Sequence, residues 1–183
     1  MNLTHHFLLS MPQMADDRFA KSLIYILEHD EEGAWGVVIN HTLDMSLAEV
    51  FEQLDIAPTV GVSGDEAVLK GGPVDTQHGF VLHKPKISFE STRHFDGGVS
   101  LSSSRDVLEA LAAGQEPAEH LVLLGHAGWG PGQLEEEISE NAWLTCEADT
   151  NIIFNTPVSQ MRTAVAGLLG VDLNLIVGQS GHA

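Results

Sequence analysis

Apolar residues recur along this chain in two rhythms. Short runs dense in branched and aromatic side chains predict strands, and stretches where apolar residues return every three or four positions predict helices. Residues 3–10 read as an opening strand with Phe7, Leu8 and Leu9, broken by the MPQM run that follows. Asp16, Asp17, Arg18 and Phe19 predict a loop or a single helical turn. Residues 22–28 (SLIYILE) and 34–40 (AWGVVIN) are separated by a turn ending in Gly33. That spacing predicts a β-hairpin. Residues 67–70 and 79–83 predict further strands, stopped by Gly71-Gly72-Pro73 and by Pro85. Residues 87–98 are polar and irregular, and Val99-Ser100-Leu101-Ser102 alternates as an edge or half-buried strand does.

The helical rhythm is clearest in three places. Ser46-Leu47-Ala48-Glu49 has the form of a capping box, in which the serine oxygen takes a free helix N–H and the glutamate reaches back. Leu47, Val50, Phe51 and Leu54 then share one face, and Pro58 closes the segment. Residues 105–113 predict a helix with Val107, Leu108 and Leu111 on one side, capped by Ser103 or Ser104 and ended by Gly114. Pro157 suits a first helical turn. Val158, Met161, Val165 and Leu168 follow it at helical spacing, with Gly170 at the left-handed end. The tail, residues 173–183, carries one apolar patch and a mobile-looking end.

The passage from Leu121 to Leu144 gathers both rhythms. Leu121 to Leu124 is continuously apolar, as a strand buried on both faces is. Gly125, Gly128, Gly130, Pro131 and Gly132 then predict a tight corner with Trp129 at its tip. A helix is expected from Gln133, with Leu134 and Ile138 on one face, glutamates in its first turns and Asn141 at its end. Trp143, Leu144 and Cys146 start another strand, and residues 145–154 predict two strand-like pieces around an acidic loop. The whole predicts a single compact α+β domain over residues 1–183, with a mixed, largely antiparallel sheet and about four helices.

Composition narrows the function classes. A 43% apolar content and a mean hydropathy of +0.03 support a real core. The net charge of −18, from 8 basic and 26 acidic residues, disfavours direct binding to nucleic acid or anionic lipid. Lys84 and Lys86 form the densest basic spot. Cys146 is the only cysteine, so an intramolecular disulfide is impossible. With a start that lacks a basic leader, this predicts a cytoplasmic protein, and no segment has the length of a membrane span.

Candidate chemistry is sparse. The glycine corner has no Lys-Ser/Thr pair and no G-x-G-x-x-G or G-x-S-x-G, which argues against a phosphate cradle and a hydrolase elbow. The ten histidines show neither H-E-x-x-H nor a Cys/His zinc spacing, although a spatial cluster stays open. No catalytic residue, metal site or cofactor is indicated. His126 and Trp129, both in the corner, are the candidate binding residues. They serve either a partner surface, with Phe7 or Met11 beside Trp129, or a small ligand or metal approaching the glycines. Cys146, followed by Glu147, reads as a buried structural thiol.

Several blocks resemble the YqgE/AlgH family of bacterial proteins. They are L-T-x-H-F-L-L-S-M-P-Q-M at the start, D-x-R-F-A-K-S-L-I-Y-I-L-E-H, and E-E-G-A-W-G-V-V-I-N. G-G-P-V with G-F-V-L-H, G-H-A-G-W-G-P-G-Q-L-E-x-E-I, N-x-W-L and the terminal G-H-A continue the match across nearly the whole chain. His5 stands where the family often has glycine. The resemblance implies an αβ fold with a branched sheet in a cytosolic bacterial protein, and it carries over no catalytic residue. Some members bear the label of transcriptional regulators. With the charge found here, a regulatory role is expected to run through a protein partner.

Overall fold

The computed structural model describes residues 1–173; the expectations for residues 174–183 lie outside them. The strands are β1 (His6–Ser10), β2 (Leu23–Asp30), β3 (Gly33–Val38), β4 (Thr42–Ser46), β5 (Ala67–Lys70), β6 (Val74–His83), β7 (Arg93–Phe95), β8 (Val99–Ser102), β9 (His120–Trp129) and β10 (Trp143–Glu147). The helices are α1 (Leu47–Gln53), α2 (Arg105–Ala112), α3 (Gln133–Ser139), α4 (Thr150–Asn155) and α5 (Val158–Leu168), with a 3₁₀ turn at Asp17–Phe19.

Among the described residues five helices stand where about four were expected, because α4 replaces the second predicted strand piece. Asp149 decides this locally: its carboxylate accepts the Asn151 N–H at 2.9 Å, and the helix then buries Ile152 and Ile153 together. The capping box forms as read, with Ser46 and Glu49 exchanging backbone bonds. The hairpin also forms, but β2 runs on through Asp30, so His29 lies in the strand rather than the turn.

The sheet runs β10-β1-β2-β3-β9-β6-β8-β7, and β4 joins it through β5. Among the described residues every pairing is antiparallel except β5 on β9. The sheet forks at β9. One edge of that strand carries β6. The other edge is paired with β5 at Leu123 and Leu124, then with β3 from Ala127 to Trp129. Gly71 closes the fork by taking the Val38 N–H at 2.7 Å and giving its own N–H to Leu124 at 2.7 Å.

Gly125 makes this possible, and it overturns the expected end of the strand. β9 does not stop there but continues to Trp129. Gly125 has φ +81, and a Cβ on it would lie 2.5 Å from the Gly72 carbonyl oxygen. One left-handed residue in a strand slips the alternation of faces by a step. Before it, Leu123 faces one core and Leu124 the opposite side; after it, Ala127 and Trp129 face a third cluster.

Three cores result. The first lies inside the curl, where Phe7, Tyr25, Val37, Leu82, Val99 and Leu123 meet Ile153 of α4 and Met161 and Val165 of α5. The second covers the outer face of β1–β3 with Phe19, Trp129, Leu134 and Trp143. The third covers the outer face of β5, β6 and β9 with α1 and α2, through Leu47, Phe51, Val107 and Leu111. Residues 99–102, expected to form an edge or half-buried strand, are all buried, because β8 lies between β6 and β7.

Candidate functional site

The structure does not bring His126 and Trp129 together. Trp129 is 5% exposed and belongs to the second core. Its ring stacks on Phe19 at 6.1 Å and meets Trp143 edge-on at 6.2 Å. Its Nε1–H donates to Glu137, whose same oxygen also accepts from Trp143, each at 3.3 Å. Trp129 therefore packs into a core at the end of β9, and Phe7 lies in a different core. His126 turns the other way. Its ring meets Trp35 at 5.9 Å and Phe80 at 6.1 Å, both edge-on, at the rim of the first core. Its Nδ1 is buried without a hydrogen-bond partner among the described residues. The space a ligand would use beside Gly125 is filled by the backbone of Gly72.

Two of the scattered histidines are locally committed. His29 is buried; its Nδ1 accepts the Leu3 N–H at 2.9 Å and its Nε2–H donates to Glu135. His5 meets the Tyr25 hydroxyl at 2.7 Å, and burial holds its pKa below the ordinary imidazole value. Among the described residues no group of three or more His, Cys, Asp or Glu is arranged to hold a metal ion. Cys146 is half-buried, and desolvation pushes its thiol pKa up.

An apolar concave feature lies elsewhere, on the third core. A groove of about 470 Å³ opens between α1 and α2, with Met45, Val50, Leu54, Phe80, Leu108 and Leu124 along its apolar walls. Gln53, Gln77, Ser102, Ser103, Ser104 and Arg105 form its polar side. None of the described residues lining it is Asp or Glu, in a chain with 26 of them. A volume in this range, apolar with a few placed polar groups, suits a binding site.

Behind its polar wall runs a directed chain of hydrogen bonds. His83, fully buried, donates Nδ1–H to the Lys84 carbonyl at 2.8 Å. A carbonyl only accepts, so the proton is fixed on Nδ1 and Nε2 of the neutral ring is an acceptor. Burial, reinforced by the neighbouring His94 and His120, holds His83 below the usual imidazole pKa, which favours that neutral form. Ser102 therefore donates its hydroxyl to His83 Nε2, at 2.7 Å. Thr92 donates in turn to Ser102 Oγ at 2.7 Å, and takes the Phe89 N–H at 2.6 Å. The neighbouring Ser91 Oγ accepts the N–H groups of Ser103 and Ser104 at 2.7 and 2.8 Å.

Of Ser103 and Ser104, the two serines expected to cap α2, the second is the one used. Ser104 occupies the cap position, but its hydroxyl goes to Asp106, which itself takes the Val107 N–H at 2.9 Å. Sequence reading missed His83 and Ser102. The available signal was V-S-L-S: on a strand buried on both faces, its alternate serines need internal partners.

The fold and groove define a class: an α+β protein with a forked, mostly antiparallel sheet and an apolar, carboxylate-free groove on one outer face. The chain belongs to the AlgH-like family, whose model (DUF179) matches residues 7–174. It is 46% identical over 185 residues to a UPF0301 protein of Burkholderia cenocepacia, covering 100% of this chain and 96% of that one. It is 45% identical over 183 residues to a UPF0301 protein of Cupriavidus metallidurans, with the same coverage. The solution structure of AlgH from Pseudomonas aeruginosa superposes with a TM-score of 0.81 at 48% identity, over 100% of this chain and 97% of that one. A crystal structure of a Corynebacterium diphtheriae protein shares the fold, with a TM-score of 0.73 at 21% identity, over 95% and 91% of the two chains. No helix among the described residues is long and apolar enough to cross a membrane.

Proposed function

We propose that this protein is a binding module that works through a protein partner, receiving an apolar segment of that partner in the groove between α1 and α2. One observation carries the reading: the described residues lining the groove are mostly apolar and include no Asp or Glu, in a chain of net charge −18. Leu54, 38% exposed at its mouth, offers the kind of surface a partner's side chains cover. A regulatory role on this reading is exerted by occupancy of the groove rather than by contact with DNA, which the net charge disfavours.

The test is photo-crosslinking in cells from a benzoyl-phenylalanine placed at Leu108. A discrete partner polypeptide should be captured, and the Leu54→Gln change should reduce its yield at least tenfold. Equal capture by both forms, or no discrete product, counts against the groove as the partner's seat.

A further inference from the structure

We propose that Ser102 is a nucleophile that takes an acyl group from activated esters entering the groove, with His83 as its general base. The inference shares the groove with the partner reading but does not depend on a partner.

Three observations converge on it. The first is the pair itself: Ser102 Oγ lies 2.7 Å from His83 Nε2, within the range a base needs to take the hydroxyl proton. The second is the orienting group. The Lys84 carbonyl, 2.8 Å from Nδ1, fixes the tautomer in which Nε2 carries the free lone pair. The third is placement, since Ser102 forms part of the groove wall although the residue is only 1% exposed to bulk water. The Val81↔Ser102 register on one face of the sheet puts Oγ beside an apolar wall that suits an acyl chain. Thr92 supports Oγ on a further side, leaving one oxygen lone pair for attack.

The step balances without a cofactor. Ser102 Oγ bonds to the acyl carbon while its proton passes to His83 Nε2. The bond from that carbon to the leaving alcohol or thiol breaks, and His83 returns the proton to the leaving group. Water then attacks the serine ester, gives a proton to His83 and releases the carboxylic acid, and the proton returns to Ser102 Oγ. A network that serves only to tie residues 84–92 to the start of α2 needs none of these steps. The two readings therefore differ in what an electrophile finds.

The full chain is incubated with p-nitrophenyl butyrate and, separately, with a fluorophosphonate, followed by intact mass and peptide mapping. One fluorophosphonate adduct per chain on Ser102 is expected, and the ester should release p-nitrophenol. Ser102→Ala should abolish the adduct, His83→Gln should slow its formation by on the order of 100-fold, and Ser159→Ala, at an exposed position on α5 away from the groove, should leave it unchanged. Mapping the wild-type adduct decides the matter even where a variant folds poorly. Absence of an adduct, its appearance on another residue, or wild-type labelling of the His83→Gln protein overturns the proposal. Partner capture from Leu108 by a Ser102→Ala protein reads the binding function separately.

Discussion

The two outer faces of the sheet are covered by helices of almost equal length, yet one is sealed and the other open. Seven residues of α3 close the face of β1–β3, while seven of α1 and eight of α2 leave a groove over β6 and β9. Helix length therefore does not decide the outcome. Ring mass does: Phe19, Trp129 and Trp143 fill the sealed face with aromatic surface, and Glu137 satisfies both indoles from above. The open face relies mainly on aliphatic residues, with single rings from Phe51, Phe80 and Phe89 and serines along its border. Filling with large rings yields a closed core. Aliphatic cover by two short helices yields a surface with room for a guest.

The contrast can be broken in five ways, from the largest effect down. Trp129→Ala should cost about 3–5 kcal/mol as a cavity in the sealed face, read from urea midpoints; a loss under about 1 kcal/mol would mean that the indole is not core. Gly125→Ala should cost about 2–4 kcal/mol through backbone strain and overpacking. The same titration checks it, and tolerance would sink the account of the fork. Ser46→Ala should cost about 1 kcal/mol by removing the cap of α1, and an unchanged midpoint would show that α1 is held by packing alone.

The fourth concerns two cross-strand histidines, His83 and His120, whose pKa values shift in opposite directions. Burial pulls His120 down, but its hydrogen bond and charge contact with Glu66, with help from the Pro117 carbonyl, leave it raised overall. Its stabilising contribution is thus full below the ordinary imidazole value and is lost as pH rises through the raised one. His83, lowered, contributes above the ordinary value and loses that contribution as pH falls. His120→Gln should remove a few tenths to about 1 kcal/mol at pH 5 and little at pH 9, since Glu66 is partly exposed. Equal losses at both pH values, from urea midpoints, would refute the assignment. Last, Leu54→Gln should change stability by less than about 0.5 kcal/mol while weakening partner capture. A large stability loss would place Leu54 in the core instead of at the mouth of the groove.

Much of the architecture was legible in the sequence because local signals agreed with global ones. The β2–β3 hairpin, the Ser46 box and the heptad-like run from Val158 are each written in adjacent residues. The failures share a cause. Gly125 looks like the stop of a strand, since only the long-range approach of Gly72 shows why a strand needs a left-handed residue there. Residues 150–155 look like a strand because two isoleucines outweigh the Asp149 cap when read by propensity. The candidate pair shows the same limit. His126 and Trp129 are three apart in sequence but face different cores, whereas Ser102 and His83 are nineteen apart and bonded. Adjacency along a chain is weak evidence of adjacency in a site.

The slip at Gly125 makes β9 two differently phased rulers joined end to end. An extra residue inserted on the His120 side would reverse the pattern for α1 and α2 but spare the indoles. The same insertion beyond Gly125 would turn Trp129 away from its rings and leave the groove untouched. Length changes in this one segment are therefore graded not by size but by the side of a single glycine on which they fall.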